Sequence, residues 1–232
     1  MLKFFYIALI VLLILAIAFA GWKFRGKRNS HKSVNENKAL EVALNENKAY
    51  ERKQIVFFGD SEIALWPMGN SFGQLPIKNR GVSGDFVTKC MNRYSEEVIS
   101  LNPDVIVLLI GTNDLNAGVP PREIIKHIQI LIDEGKNANA EIVVCSLLPV
   151  SAEVANNGRP VSSIIKINKA LSGICHKEEL EFVDFYKSLL DEDDFFDKKF
   201  SDDGLHPNEQ GYIVMSGIIL PYITNLIDEK GQ

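Results

Sequence analysis

The chain has 232 residues, 46% hydrophobic and 24% charged, a balance typical of one globular domain with a substantial core and unlike a disordered or repeat protein. Its formal net charge of −5 leaves no general basic field, so we exclude nucleic acid as a partner. The three cysteines are too few and too scattered for a disulfide framework or a zinc site.

The first predicted element is a membrane-spanning helix near the amino terminus. Residues 4–22 contain no charged side chain and are almost all apolar, and at about 1.5 Å per residue they are long enough to cross a bilayer. A cleaved signal peptide is the alternative, because Ala18, Phe19 and Ala20 fit a cleavage site. The apolar stretch is longer than the core of such signals, so we predict that residues 1–22 are an uncleaved anchor.

Two signals disagree about the side of the membrane on which the rest of the chain lies. Five basic residues follow the apolar stretch: Lys23, Arg25, Lys27, Arg28 and Lys32. By the positive-inside rule they would hold the following domain in the cytoplasm. A short head that carries Lys3 can insert in either direction, and the signal-like site favours the opposite side. We expect an extracytoplasmic domain and keep the cytoplasmic alternative open.

Residues 23–50 are predicted to be a charged, partly helical spacer. The sequence Asn-Glu-Asn-Lys-Ala at 35–39 recurs at 45–49, but two copies do not make a solenoid. The basic residues at its start either contact anionic lipid head groups or are solvated. The globular domain is therefore predicted to span residues 51–232.

Within this domain, short apolar runs alternate with amphipathic segments. The runs predicted as buried strands are 55–58, 105–110, 142–145 and 182–183. The segments with apolar residues at helical spacing are 86–99, 122–135, 161–178 and 210–227. Continuously apolar strands separated by helices indicate a parallel sheet covered on both faces, so we predict a three-layer α/β domain.

Polar residues follow the first two predicted strands. Ligands of parallel sheets bind beyond the carboxyl ends of the strands, where this chain has Gly59, Asp60 and Ser61 and, after the next strand, residues 111–114 (Gly-Thr-Asn-Asp). Asp203 and His206 stand three apart, just before a proline. A serine, a histidine that takes its proton and a carboxylate that orients the histidine are the residue types of a hydrolytic triad.

Four motifs in order resemble the blocks of the SGNH hydrolases, also called GDSL esterases and lipases. They are Gly59-Asp60-Ser61, Asn79-Arg80-Gly81-Val82-Ser83-Gly84-Asp85, Gly111-Thr112-Asn113-Asp114 and Asp203-Gly204-Leu205-His206-Pro207. The resemblance extends from residue 54 to about residue 222. It implies a three-layer α/β/α, flavodoxin-like fold and a serine hydrolase that needs neither a metal nor an organic cofactor.

The resemblance also implies a role for each site residue. Ser61 would be the nucleophile, His206 the general base and then the general acid, and Asp203 the orienting carboxylate. The oxyanion hole would consist of the backbone N–H groups of Ser61 and Gly84 and the side-chain amide of Asn113. Such donors stabilise the charge that develops on the substrate oxygen.

Other residues near these motifs have alternative readings. Asp60 and Asp114 are expected to help hold their loops, as helix caps, rather than to act on the substrate. Ser61 is followed by Glu62, where many relatives have a threonine soon after the serine. We expect Glu62 either to disfavour anionic substrates or to point into solvent.

Ser71 is a competing candidate nucleophile, because residues 69–73 fit the G-x-S-x-G turn of α/β-hydrolases. That turn requires a strand before the serine and a helix after it. Trp66, Pro67 and Met68 precede the motif and Pro76 follows Ser71 closely, so neither element is expected. We therefore reject Ser71 in favour of Ser61.

The expected function is hydrolysis of carboxylic esters through an acyl-serine intermediate. Short acyl groups, such as acetyl, on a glycan or small molecule are favoured, because segment 150–160 is too short and polar for the lid of a long-chain lipase. A lysophospholipase or other lipid acylhydrolase and an O-acyltransferase are alternatives. A catalytically silent binding module tethered to the bilayer is a further one.

Overall fold

The structure, a computed structural model, describes residues 53–229. These residues belong to one compact unit, Tyr50–Gln232. The predicted membrane span at 1–22 and the spacer at 23–50 lie outside the described residues.

The described residues form five strands and eight α-helices, which alternate along most of the chain. The strands are β1 (Ile55–Gly59), β2 (Ile77–Gly81), β3 (Val105–Leu109), β4 (Glu141–Cys145) and β5 (Glu181–Val183). The helices are α1 (Ser61–Ala64), α2 (Met68–Phe72), α3 (Val87–Glu97), α4 (Thr112–Asn116), α5 (Pro121–Asn137), α6 (Ala152–Asn156), α7 (Val161–Glu178) and α8 (Glu209–Glu229).

All five strands are parallel and lie in the order β2-β1-β3-β4-β5. This is the flavodoxin-like order, in which the chain moves to the other side of β1 after β2. Gly59 at the end of β1 pairs with Gly81 of β2 and with Leu109 of β3. The carboxyl ends of these three strands therefore meet at one edge of the sheet, where ligands of such folds bind.

Alternate residues of the strands face two separate cores, because side chains of a strand point to opposite sides of the sheet. On one face Val56 and Phe58 of β1 belong to a core that includes the buried residues of α3, α5 and α7. On the other face Ile55 and Phe57 belong to a core with α8. The predicted three-layer α/β architecture with a parallel sheet is confirmed.

Within residues 53–229, one helix is long and apolar enough to cross a membrane by length and composition, and it is the segment Glu209–Ile227 of α8. Met215, Ile219 and Ile223 of this helix are fully buried in the second core. A helix that covers one face of a sheet needs such an apolar stripe, so packing accounts for its hydropathy.

The four strands and four long helices predicted from the sequence are all present, with bounds shifted by up to two residues. Strand β2 was not predicted. It lies at the edge of the sheet, its sequence is Ile-Lys-Asn-Arg-Gly, and it has no fully buried residue. Hydrophobic periodicity therefore gives no signal for this strand.

Candidate active site

Ser61 is the first residue of α1, two residues after the end of β1, and only 6% of it is exposed. Strand β2 holds this short helix in place, since Asn79 Nδ2 donates to the backbone oxygen of Ile63 at 2.7 Å. A Cβ added at Gly81 would lie 2.2 Å from the backbone nitrogen of Ala64. Backbone atoms cannot move aside easily, so glycine at 81 allows α1 to lie against β2.

Asp203 and His206 lie in the turn before α8. Asp203 Oδ1 accepts the backbone N–H groups of Leu205 at 2.9 Å and His206 at 2.7 Å. Its other oxygen, Oδ2, lies 2.7 Å from His206 Nδ1. The opposite ring nitrogen, Nε2, lies 3.0 Å from Ser61 Oγ, across 145 residues of sequence. The three residues predicted as a triad therefore form one continuous hydrogen-bonded chain.

The carboxyl group of Asp203 is held in its charged form. Burial raises its pKa, but the hydrogen bonds from the His206 ring and from the backbone of His206 and Leu205 outweigh burial and lower the pKa to about 2. Because Oδ2 contacts Nδ1, the proton of a neutral imidazole is stabilised on Nδ1 and Nε2 faces Ser61 as an acceptor.

Gly84 and Asn113 lie beyond the ends of β2 and β3, the two neighbours of β1. Gly84 has a φ of +78°, and a Cβ there would meet no atom within 4 Å, so backbone conformation rather than space favours glycine. Asn113 Nδ2 donates to the backbone oxygen of Asp85 at 3.1 Å. The Asn113 amide is thus attached to the residue that follows Gly84.

Glu62 lies inside the site and does not point into solvent. Only 3% of it is exposed, and its Oε2 lies 3.1 Å from Ser61 Oγ, within hydrogen-bond distance. The Ser61 hydroxyl has one proton and two neighbouring acceptors, Glu62 Oε2 and His206 Nε2. The sequence indicated only that Glu62 follows the serine; its burial is a tertiary result.

Asp60 is buried, with 1% exposed, and neither of its carboxyl oxygens has a hydrogen bond of good geometry. Burial, together with the charge of Glu62, raises the pKa of Asp60 well above its usual range. Its side chain makes no helix cap, contrary to the expectation. Asp114 does act as a cap, but for another helix, since it accepts the N–H of Val87 at the start of α3.

Arg159 is a residue of the site that sequence reasoning missed. It lies between α6 and α7, is 9% exposed, and its three hydrogen-bond partners are Thr112 Oγ1 at 3.2 Å, Asn113 Oδ1 at 3.3 Å and Asn116 Oδ1 at 3.0 Å. No motif or periodicity marks a single arginine in a polar loop, so the sequence carries no signal for it.

Ser71 lies within the short helix α2, with no strand directly before it. Among the hydrogen bonds of residues 53–229, none joins its hydroxyl to Asp203 or His206. The strand-turn-helix context that the G-x-S-x-G motif requires is therefore missing at this position.

A cavity of about 660 Å³ lies beside the turn that carries Asp203. It is lined by carboxylates, hydroxyls and two aromatic rings, which belong to Glu153, Asp191, Asp193, Asp202, Ser151, Ser201, Phe195 and Phe196. Lys198 is the cationic residue of this lining. Among residues 53–229, no group of three or more His, Cys, Asp or Glu side chains is arranged to hold a metal ion.

A family model described as the GDSL-like lipase/acylhydrolase family matches residues 66–214. The matched range contains Gly84, Asn113, Asp203 and His206 and begins shortly after Ser61. No curated protein sequence matches the chain.

Solved structures share the fold at low sequence identity. A GDSL-like lipase from Bacteroides thetaiotaomicron has a TM-score of 0.71 and 22% identity, over 80% of this chain and 97% of the other. A lipase/acylhydrolase from Enterococcus faecalis has a TM-score of 0.63 and 21% identity, over 75% and 96%. An acetylxylan esterase from Geobacillus stearothermophilus, a catalytic mutant, has a TM-score of 0.60 and 20% identity, over 74% and 94%.

Proposed function

The chain belongs to the GDSL-like lipase/acylhydrolase family and is an enzyme that acts on ester bonds, and we propose that it does so through an acyl-serine intermediate on Ser61. The observation that carries this proposal is the hydrogen-bonded chain from Ser61 Oγ through His206 to Asp203. Serine becomes nucleophilic at neutral pH only when a base of this kind takes its proton.

In the proposed mechanism, Ser61 Oγ attacks the ester carbonyl while His206 Nε2 takes the hydroxyl proton. Asp203 stabilises the imidazolium that forms, because its carboxylate is charged and contacts Nδ1. His206 then returns the proton to the departing alcohol as the C–O bond breaks. Water, deprotonated by the same ring nitrogen, then attacks the acyl carbonyl. His206 gives that proton to Ser61 Oγ as the acyl C–O bond breaks, which releases the carboxylic acid and restores the serine. Each proton comes from the Ser61 hydroxyl or from water and is carried by His206, so the proposed steps use no metal or organic cofactor.

We assign the oxyanion hole to the backbone N–H groups of Ser61 and Gly84 and to Asn113 Nδ2. The assignment is supported by the strand order, in which the ends of β2 and β3 flank β1, and by the contact between Asn113 and Asp85. Each such donor is worth about 10² to 10³ in rate when it is aimed at the developing oxyanion.

The proposal is tested by hydrolysis of p-nitrophenyl esters from acetyl to dodecanoyl by the full-length protein. We expect Ser61→Ala to lower kcat at least about 10⁴-fold. Ser71→Ala is the matched control and is expected to retain activity. A folded Ser61→Ala variant that keeps its turnover would contradict the assignment of the nucleophile.

We propose short acyl groups on a glycan or a small polyhydroxylated molecule as the substrate. The cavity beside Asp203 supports this, because its carboxylates can accept hydrogen bonds from sugar hydroxyls and the half-buried ring of Phe195 can pack on a sugar face. Its acidic lining is unfavourable for an anionic head group. One similar structure is that of an acetylxylan esterase, which acts on an acetylated glycan by its name.

A lipid acylhydrolase is the second candidate, and two exposed apolar residues favour it. Leu65, at the end of α1, is 54% exposed, and Val82, at the end of β2, is 43% exposed. Acetylated xylo-oligosaccharide and a lysophospholipid distinguish the two candidates. We expect release of acetate from the oligosaccharide with a higher kcat/KM than release of fatty acid from the lipid.

We further propose that residues 4–22 anchor the enzyme in a membrane, with the catalytic domain of residues 51–232 outside the cytoplasm. The support is the uncharged apolar length of residues 4–22 together with the signal-like Ala18, Phe19 and Ala20. A topology reporter fused after Gln232 tests it. Reporter activity confined to the cytoplasm would overturn the extracytoplasmic placement.

A further inference from the structure

Arg159 connects a distant loop to the helix that begins the third motif. Its guanidinium group donates from Nε to Thr112, from Nη1 to Asn116 and from Nη2 to Asn113. All three acceptors belong to α4, the five-residue helix directly after β3. The loop between α6 and α7 is therefore attached to α4 through this one side chain.

The partners of Arg159 are unusual for a buried arginine because all three are uncharged. Among residues 53–229, no carboxylate lies within ion-pair distance of its guanidinium group. Asp60 and Glu62 act on it only through their electric field. A buried charge without a direct counter-ion is costly. Uncharged side chains can donate to neutral oxygens as well, so simple attachment of the loop does not require an arginine.

The contact with Asn113 determines which way its amide faces. Arginine has donors and no acceptor, so the Asn113 atom against Nη2 must be the oxygen. The Asn113 nitrogen then faces the other way, where it donates one N–H to the backbone oxygen of Asp85. An amide nitrogen carries two hydrogens, so the second N–H remains for another acceptor. A flipped amide would set N–H groups against the guanidinium donors.

We propose that Arg159 is a positioning residue for the oxyanion hole: it holds the Asn113 amide with Nδ2 toward the substrate and strengthens that donor. A positive charge at the amide oxygen draws electron density from the nitrogen, so the N–H group becomes a better donor to the developing oxyanion. The inference rests on the proposed role of Asn113. It makes Arg159 act through Asn113 and not on the substrate itself.

The test is a double-mutant cycle on the full-length protein with p-nitrophenyl acetate. We expect Asn113→Ala to lower kcat about 10²- to 10³-fold and Arg159→Gln to lower it about 10- to 100-fold. For both variants KM should stay within about threefold of the wild-type value, because the donor acts mainly in the transition state. The double variant should be no slower than Asn113→Ala alone, because Arg159 then has no amide left to position.

Two further variants separate positioning from a structural role. Arg159→Lys keeps a positive charge but has a single point donor, so we expect a smaller loss of kcat than in Arg159→Gln. If Arg159→Gln does not fold, as thermal unfolding would show, the cycle is measured with Arg159→Lys. Arg122→Gln is the matched control, since the Arg122 side chain is 82% exposed, and it should behave as wild type.

The outcomes distinguish this inference from the proposed function. The effects on kcat could instead multiply, so that Arg159→Gln slows the Asn113→Ala variant as much as it slows the wild type. That result would overturn the positioning role of Arg159 and leave the oxyanion assignment intact. An Arg159→Gln variant with unchanged kcat would do the same. A folded Asn113→Ala variant with wild-type kcat would overturn the oxyanion role of Asn113 itself, and the inference with it.

Discussion

Two turns meet at Ser61, and each carries an aspartate. The two aspartates differ in exposure and in hydrogen bonding. The turn after β1 holds Asp60, which is 1% exposed and has no hydrogen bond of good geometry. The turn before α8 holds Asp203, whose side chain is 56% exposed. Its carboxylate accepts hydrogen bonds from two backbone N–H groups and faces the His206 ring. The two aspartates therefore differ in burial and in the hydrogen bonds of good geometry that their carboxyl oxygens accept.

The difference shows how burial and hydrogen bonding together set the direction in which the pKa of a carboxyl group shifts. For Asp60, burial comes first and the charge of Glu62 adds to it, so the pKa rises. For Asp203, burial is outweighed by hydrogen bonds and the pKa falls to about 2. The charge that a histidine base needs is therefore kept in the exposed turn, while burial shifts the pKa of the aspartate beside the nucleophile in the opposite direction.

The largest effect should come from neutralising the charged member of this pair. Asp203→Asn removes the carboxylate that orients His206 and stabilises the imidazolium, so kcat on p-nitrophenyl acetate should fall about 10⁴-fold. Asp133→Asn is the control, because Asp133 is exposed on α5, outside the cavity lining, and its Oδ1 contacts Gln129 and not His206. Equal activity of the two variants would remove Asp203 from the proposed mechanism.

Neutralising the buried member should change the pH dependence of stability instead. The pKa of Asp60 is raised above the reference value of 3.8, so the folded state binds more protons than the unfolded state as pH rises from that value. Asp60 should therefore lower the free energy of unfolding of the wild type as pH rises over this range. The Asp60→Asn variant has no carboxyl group at this position and should lack this decrease.

Urea unfolding of both proteins between pH 4 and pH 8 measures this difference. The stability of Asp60→Asn relative to wild type should increase with pH. The contribution of Asp203 to the free energy of unfolding changes with pH in the opposite direction. Its lowered pKa adds stability above pH 3.8, and this stability is lost as pH falls toward about 2. A relative stability that is constant from pH 4 to pH 8 would show that Asp60 does not titrate as its burial indicates.

A smaller effect concerns the charge beside Ser61. Glu62→Gln keeps the shape of the side chain at the nucleophile but removes a negative charge that would repel an anionic substrate. Repulsion between unit charges 4 Å apart is about 1 kcal/mol even in water. The ratio of kcat/KM for p-nitrophenyl hemisuccinate to that for p-nitrophenyl acetate should therefore rise about fivefold.

The exposed Glu192 provides the control for this measurement, as Glu192→Gln should leave the ratio unchanged. If Glu62→Gln also leaves it unchanged, the charge of Glu62 does not act on the substrate. A loss of activity on both esters alike would instead assign Glu62 to the placement of the Ser61 hydroxyl.

Most of the fold could be predicted because its signals are local. The buried strands β1, β3 and β4 are continuous apolar runs, and helix α7 was predicted with the observed bounds, Val161–Glu178. Strand β2 could not be predicted, since it is a partly exposed edge strand whose only cue is Ile77. That strand nevertheless supports α1 and so determines where Ser61 lies.

The sequence alone determined which residues were candidates for the triad, because Ser61 follows an apolar run and Asp203 and His206 stand three apart before a proline. Only the tertiary structure decided that Glu62 is buried against the serine, that Asp60 is buried beside it and that Arg159 faces Asn113. The physical reason is the separation along the sequence of the residues that interact. Strand and turn signals act between neighbours along the chain, whereas burial and the Arg159 contact depend on packing between segments, in that case 46 residues apart.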